Sequence, residues 1–250
     1  PDLSPRHPWR AQTAMCHAAR AALLALALTR ALGATRGQLL AGRHARGAPQ
    51  RHDEHLGALA EDVAAKYRPQ YARLKITSGD EVETLWQRPL GPIRGTVFAA
   101  HGCNHQATDY FAHTGHDGFV LEACTRARHS CLALPEEVRM RRVARARGYL
   151  FVAVTSKDRR SRCWGPEDVH RVQEALAHVR KQENATQLPL IAFGGSSGGY
   201  FVGELALAFP SPGLEGLSCL VPQVSAIAEQ AVMEVSPKVR ILFVGMSNAQ

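Results

Sequence analysis

The sequence lacks any Cys-x-x-Cys pair, although it holds six cysteines, so no spacing in it matches a structural zinc site. It lacks a long apolar run near its N-terminus: the uncharged stretch 21–29 has nine residues, where a bilayer needs about 20. No stable membrane span is expected. Methionine is absent before Met15, and no internal repeat of useful length occurs. Histidine is absent after His178, and the final stretch 245–250 has no carboxylate. Lastly, the basic excess is missing from most of the chain. Residues 1–70 carry ten Lys/Arg against five Asp/Glu, and the remaining 180 carry twenty against seventeen. A nucleic-acid groove would need positive charge on the folded part. That part is nearly neutral, so no nucleic-acid partner is expected.

What is present begins with a leader. From Met15 the chain runs through basic residues, an apolar run at 21–28 and small residues to Ala34, the form of a secretory signal peptide. Arg30 interrupts the end of that run. Residues 1–34 are read as this leader, and the expected compartment is secreted or the endomembrane lumen. An Ala/Arg-rich transit peptide is the competing reading. In an oxidising compartment, Cys124 and Cys131 could bridge, and so could Cys103 and Cys163. Asn184-Ala-Thr186 is a glycosylation sequon that fits the same setting. Residues 35–73 read as a basic linker with one short helix at 56–72, because Leu56, Leu59, Val63 and Tyr67 fall at helical spacing.

From residue 74 the pattern becomes that of a folded domain, 74–250. Residues 82–87 alternate like a strand. The runs 95–100, 149–154 and 188–193 are short and apolar throughout, as strands buried on both faces must be. Between them fall helical stretches at 136–147, ended by Gly148, and at 166–181, whose Val169, Val172, Leu176 and Val179 form an apolar stripe. A further helix is expected from Ser197 to Phe209. Two more apolar runs follow at 217–224 and 239–244, with one helix between them in 223–237. Strands alternating with helices predict a mostly parallel sheet covered on both faces. The chemistry of such sheets lies beyond the carboxyl ends of the strands.

Two glycine-bearing loops leave strands at that edge. The first is Phe193-Gly194-Gly195-Ser196-Ser197-Gly198-Gly199-Tyr200. A serine on so tight a strand-to-helix turn is forced into strained angles that expose its hydroxyl. Small residues two before and two after let the strand and helix backbones approach. Gly194 and Gly198 meet that need around Ser196, and Gly195 and Gly199 would meet it around Ser197. Ser196 is preferred, because it follows the strand end at the usual short interval. A phosphate loop would need Gly-Lys-Ser/Thr, and no lysine is near. The second loop is His101-Gly102-Cys103. With Ser196 as nucleophile, the N–H groups of Cys103 and Ser197 would hold a developing oxyanion, and Gly102 would let substrate approach the backbone. His101 reads as a structural histidine bonded to the loop backbone. His105, His113 and His116, with Asp109 and Asp117, could ligate a metal, but their spacing matches no metal motif, and none is expected. Arg159, Arg160 and Arg162 read as a solvated charge run, and Cys163 and Trp164 as packing or disulfide residues.

His-Gly after one strand and Gly-x-Ser-x-Gly-Gly after a later one resemble the α/β-hydrolase superfamily. The segments 101–111, 134–137 and 162–164 resemble plant and algal members of it. The resemblance covers residues 74–250. It implies an α/β-hydrolase fold and a serine hydrolase of the esterase, lipase, thioesterase or peptidase kind. Such an enzyme needs no cofactor and acts on a small-molecule or peptide acyl substrate. It also implies the chain order serine, acid, histidine. Here every histidine precedes Ser196, and nothing acidic follows the run 239–244. The expectation is therefore a domain without its last strand and helix, with triad acid and histidine outside this chain, and with little turnover. The alternative is a noncatalytic binding protein on the same fold.

Overall fold

The computed structural model describes residues 67–111, 132–227 and 229–245, and these form a single mixed sheet with helices against it. In chain order the elements are β1 (Gln70–Lys75), β2 (Glu81–Gln87), β3 (Gly95–Ala100), a 3-10 turn (Ala107–Tyr110) and α1 (Pro135–Ala146). There follow β4 (Tyr149–Val154), α2 (Asp168–Gln182), β5 (Leu190–Gly195) and α3 (Ser197–Leu207). The last are β6 (Leu217–Gln223), α4 (Glu229–Glu234) and β7 (Arg240–Ile241). The leader, the cysteines at 16, 124 and 131, and His113, His116 and Asp117 lie outside the described residues.

The strand order is β1-β2-β4-β3-β5-β6-β7. β2 runs antiparallel to both β1 and β4, and every pairing from β4 to β7 is parallel. From β3 the chain goes to β4 on one side, and it returns to β5 on the other. The carboxyl ends of β3 and β5 are therefore the point where the connections diverge and a crevice opens. The register pairs Ala100 with Gly194, so the two glycine loops leave the sheet side by side.

Alternation along the central strands decides which helix covers which face. Phe98, Leu150, Val152 and Leu190 are fully buried in one cluster with Val172, Leu176 and Val179 of α2 and Phe201, Val202 and Leu205 of α3. Each such side chain contributes about 1.5–3 kcal/mol of burial. On the other face Phe151 meets Tyr110 and Phe111, and the Arg141 guanidinium of α1 lies 4.7 Å over the Phe111 ring.

Several boundaries differ from the sequence reading; the run 239–244, for one, is strand only at Arg240–Ile241. The helix expected over 56–72 does not reach its end, since Gln70–Lys75 is strand β1. Ala72 and Leu74 pack on the core while Tyr71 and Arg73 turn outward, a period of two that the helical spacing upstream obscured. The expected strand at 188–193 lies two residues later, so the glycine pair 194–195 belongs to the strand end itself.

Arg180 of α2 is fully buried. Its guanidinium donates to the carbonyls of Gly213 (3.1 Å), Ala185 (3.2 Å), Thr186 (2.9 Å) and Leu188 (2.7 Å). It thus ties the segment that feeds β5 to the one that feeds β6. Arg180→Met would strand those acceptors, and urea unfolding is expected to show a loss of about 3 kcal/mol. No loss would mean that water replaces the guanidinium there.

Candidate active site

Ser196 sits between β5 and α3 with φ 53° and ψ −121°. A non-glycine residue in such a region costs about 1–3 kcal/mol and persists only where its surroundings hold it. Here the holding bonds are explicit. The Ser196 N–H donates to the Gln223 carbonyl at the end of β6 (3.0 Å), and its carbonyl accepts from the N–H of Gly199 (2.9 Å) and Tyr200 (3.2 Å). The Ser196 side chain is exposed.

The flanking glycines are needed for close approach. A Cβ on Gly194 would lie 2.0 Å from the Gly198 oxygen, and one on Gly198 would lie 2.4 Å from the Ala100 oxygen. A Cβ on Gly199 would lie 2.7 Å from the Ser225 Cβ, whereas one on Gly195 would meet nothing. The spacing around Ser196 is thus the one imposed by packing. Ser197 is the first residue of α3, and its hydroxyl is buried without a hydrogen-bond partner.

The loop after β3 lies beside this bend. A Cβ on Gly102 would be 3.6 Å from the Ser196 Cβ, so the serine side chain and Gly102 are immediate neighbours. Cys103 is half-buried and bridged to Cys163 by a disulfide. The Asn104 N–H donates to the Ser161 carbonyl (2.8 Å), so the loop 157–164 is fastened to 103–104 twice. Asp168 fixes the other side of that loop by accepting from the N–H groups of Lys157 (2.8 Å) and Gly165 (3.1 Å). In a 60-residue loop closed by one bridge, chain entropy alone is worth about 4 kcal/mol.

Trp164 lies underneath. It stacks on Phe201 at 4.3 Å and donates from Nε1 to the His101 carbonyl (2.7 Å). His101 packs on the same indole at 4.9 Å. His101 Nε2 accepts from the Ser156 N–H (3.1 Å), which leaves Nδ1 to donate to the Gly102 carbonyl (2.8 Å). Both ring nitrogens are therefore committed to backbone, as the sequence reading expected. Burial keeps the ring neutral, pushing its pKa down to about 4 despite the Gly102 carbonyl, with lesser help from His105, Arg162 and Arg159.

That shift fixes the sign of a stability effect. Between pH 6.5 and 4 the unfolded chain binds the proton that folded His101 refuses, so acidification favours unfolding. The contribution is complete above pH 6.5 and gone below pH 4. It amounts to about 3 kcal/mol. His101→Gln is expected to flatten the unfolding free energy across that window, and an unchanged slope would mean that other groups carry it.

Arg159, Arg160 and Arg162 sit on the loop 157–164. Arg159 and Arg162 are close enough to act on His101. Among the described residues, no three His, Cys, Asp or Glu side chains come together as a metal site, and no helix is long and apolar enough to cross a membrane. Sequence reasoning missed one pairing here. His105 Nδ1 lies 3.3 Å from Asp109 Oδ2, with Asp109 buried. The two sit four apart in a loop whose backbone the sequence does not specify.

No protein-family model and no curated protein sequence matches the chain. Solved structures similar to it include a carboxyl esterase from Bacillus coagulans, at 19% identity and TM-score 0.40, over 62% of this chain and 43% of that one. Another is an acetyl xylan esterase from Aspergillus awamori, at 13% identity and TM-score 0.43, over 61% of this chain and 50% of that one. A third, an α/β serine hydrolase without a lid from Xanthomonas campestris, aligns at 14% identity and TM-score 0.44 over 71% of each chain. The chain spans about half the length of the first two. Likeness at these values is too slight to support a reading, so the fold rests on the chain's own features. With an antiparallel β2, parallel strands from β4 to β7 and a glycine-flanked serine bend after β5, the described residues have the α/β-hydrolase fold.

Proposed function

We propose that this chain carries the nucleophile of a serine hydrolase acting on an ester- or amide-type carbonyl. The observation that supports this most is the strained, exposed Ser196 at the sheet edge, neighbour to Gly102. In this reading Ser196 Oγ attacks the acyl carbon and forms an acyl-enzyme. The N–H of Ser197, at the start of a helix where no intrahelical acceptor exists, and the N–H of Cys103 stabilise the oxyanion. Losing one such donor raises the barrier by roughly 3 kcal/mol. The Cys103–Cys163 bridge holds the second donor in place, and it also favours an oxidising compartment such as the secretory lumen.

Labelling with a fluorophosphonate probe tests the reading. The folded chain is expected to label, and the heat-denatured chain is not. Absence of labelling at every pH would favour a noncatalytic binding protein on this fold.

Reduction gives a second check. With dithiothreitol the loop 101–104 loses its covalent tie, and probe labelling is expected to slow by roughly tenfold or more, as positioning effects of this size do. An unchanged rate would mean that the hydrogen bond from Asn104 to Ser161 suffices.

A further inference from the structure

A cavity of about 610 Å³ opens at the amino ends of β3 and β4, the end of the sheet opposite to Ser196. β3 is six residues long, so the two ends lie roughly 20 Å apart. The cavity wall is built from the turn before β3 and the last turn of α1. Leu90 and Pro92 supply apolar surface, and Arg94, Arg142, Arg145 and Arg147 supply four guanidinium groups. Among the described residues, no carboxylate lines it. Cavities of about 300–1,000 Å³ are of the size that takes a small organic ligand.

Local structure brings the arginines together. Arg142 and Arg145 are three apart on α1, so they share one face of the helix. The Arg145 Nε donates to the Arg88 carbonyl (2.9 Å), which anchors that guanidinium beside the turn. The Arg94 stem lies across Gly148, where a Cβ would meet Arg94 Cδ at 2.8 Å and Cγ at 3.1 Å. The Arg94 N–H donates to the Gly148 carbonyl (2.8 Å). Glycine at 148, with φ 86°, thus makes room for an arginine as well as ending α1. Burial pushes the Tyr149 phenol up, and Arg94 and Arg147 both act against that shift, so these two cations converge on one neighbour.

Helix capping alone does not account for four arginines here. The C-terminus of α1 carries about half a negative charge, which one cation balances, and Arg145 in the last turn already supplies it. Like charges gathered around one cavity repel each other, and cations three apart on a helix destabilise it. A ligand that brings negative charge relieves that cost. The planar fork of a guanidinium pairs with two oxygens of a phosphate or sulfate group at once. We propose that this cavity binds a small organic ester bearing at least two phosphate or sulfate groups. The arginines take the anionic groups, and Leu90 and Pro92 pack on the organic part. The site is separate from the serine bend, and it stands whether or not Ser196 is a nucleophile.

Calorimetric titration of the full chain with fructose 1,6-bisphosphate and with sucrose octasulfate tests this. At least one is expected to bind, and more weakly as sodium chloride is added. The tighter of the two tells which group the cavity prefers. Arg94 and Arg142 are exposed, so replacing them should leave the fold intact, and a melting curve for each variant reports its folding. Arg94→Gln and Arg142→Gln should each weaken binding about tenfold, the scale of one lost charge-assisted pair. Arg240→Gln, at an exposed position of β7, should bind as the unmodified chain does. A second readout needs no variant: bound ester should slow the modification of Arg94 and Arg142 by phenylglyoxal, followed by peptide mapping. The proposal fails if neither ester binds, or if the ester leaves phenylglyoxal modification unchanged. It fails equally if Arg94→Gln and Arg142→Gln bind no more weakly than Arg240→Gln, since the chain would then attract anions without a site.

Discussion

Gly198→Ala is expected to cost at least about 3 kcal/mol of stability, the scale of a forced backbone overlap, and to abolish probe labelling. The added methyl would sit 2.4 Å from the Ala100 oxygen and 2.5 Å from the His101 oxygen. Both acceptors are main-chain atoms at the end of β3, so no side chain can rotate aside. Relief requires α3 to retreat from β3, which would pull Ser196 out of its bend and away from Gly102. Gly195→Ala is the control, because its methyl would meet nothing within 4 Å. Urea denaturation of the two variants, followed by probe labelling, measures both effects. Equal stability in the two would show that the elbow tolerates the extra volume.

The second large effect concerns the two adjacent serines. Ser196→Ala should reduce hydrolysis of an activated ester to the uncatalysed rate, because no other exposed hydroxyl occupies the bend; loss of a nucleophile commonly costs 1,000-fold or more (roughly, from triad deletions). Ser197→Ala should retain most activity, since in this account only its backbone N–H takes part. Removing its buried, unpartnered hydroxyl should even leave stability unchanged or slightly higher. If the serines exchange these outcomes, the elbow has been read one residue out of register.

Much of this was legible in the sequence, for definite physical reasons. Strands β3, β4 and β5 are buried on both faces, so they appear as unbroken apolar runs between helices of apolar stripe. The serine bend was legible because backbone contact at 194 and 198 leaves room for glycine only. β1 was not, because it is an edge strand with half-exposed residues whose alternation is weak. Nor were the buried arginines. Arg141 and Arg180 look like solvated helix cations until the carbonyls that receive them are known. The 103–163 bridge was one of two that the sequence allowed, and it depends on the approach of two loops 60 residues apart, which the sequence does not display. The His105–Asp109 pair could be noticed as two polar residues four apart. Their contact follows from the turn at 102–105 and the 3-10 turn at 107–110, which composition does not encode.

Everything proposed for the site turns on one hydroxyl, that of the strained Ser196 at the sheet edge, being the reactive group. Mass-spectrometric mapping of the fluorophosphonate adduct on the intact chain tests it most directly. A single phosphonylated peptide is expected, with the added mass on Ser196 and absent from the Ser196→Ala variant. An adduct on Ser197 or elsewhere, or one that persists in Ser196→Ala, would contradict it.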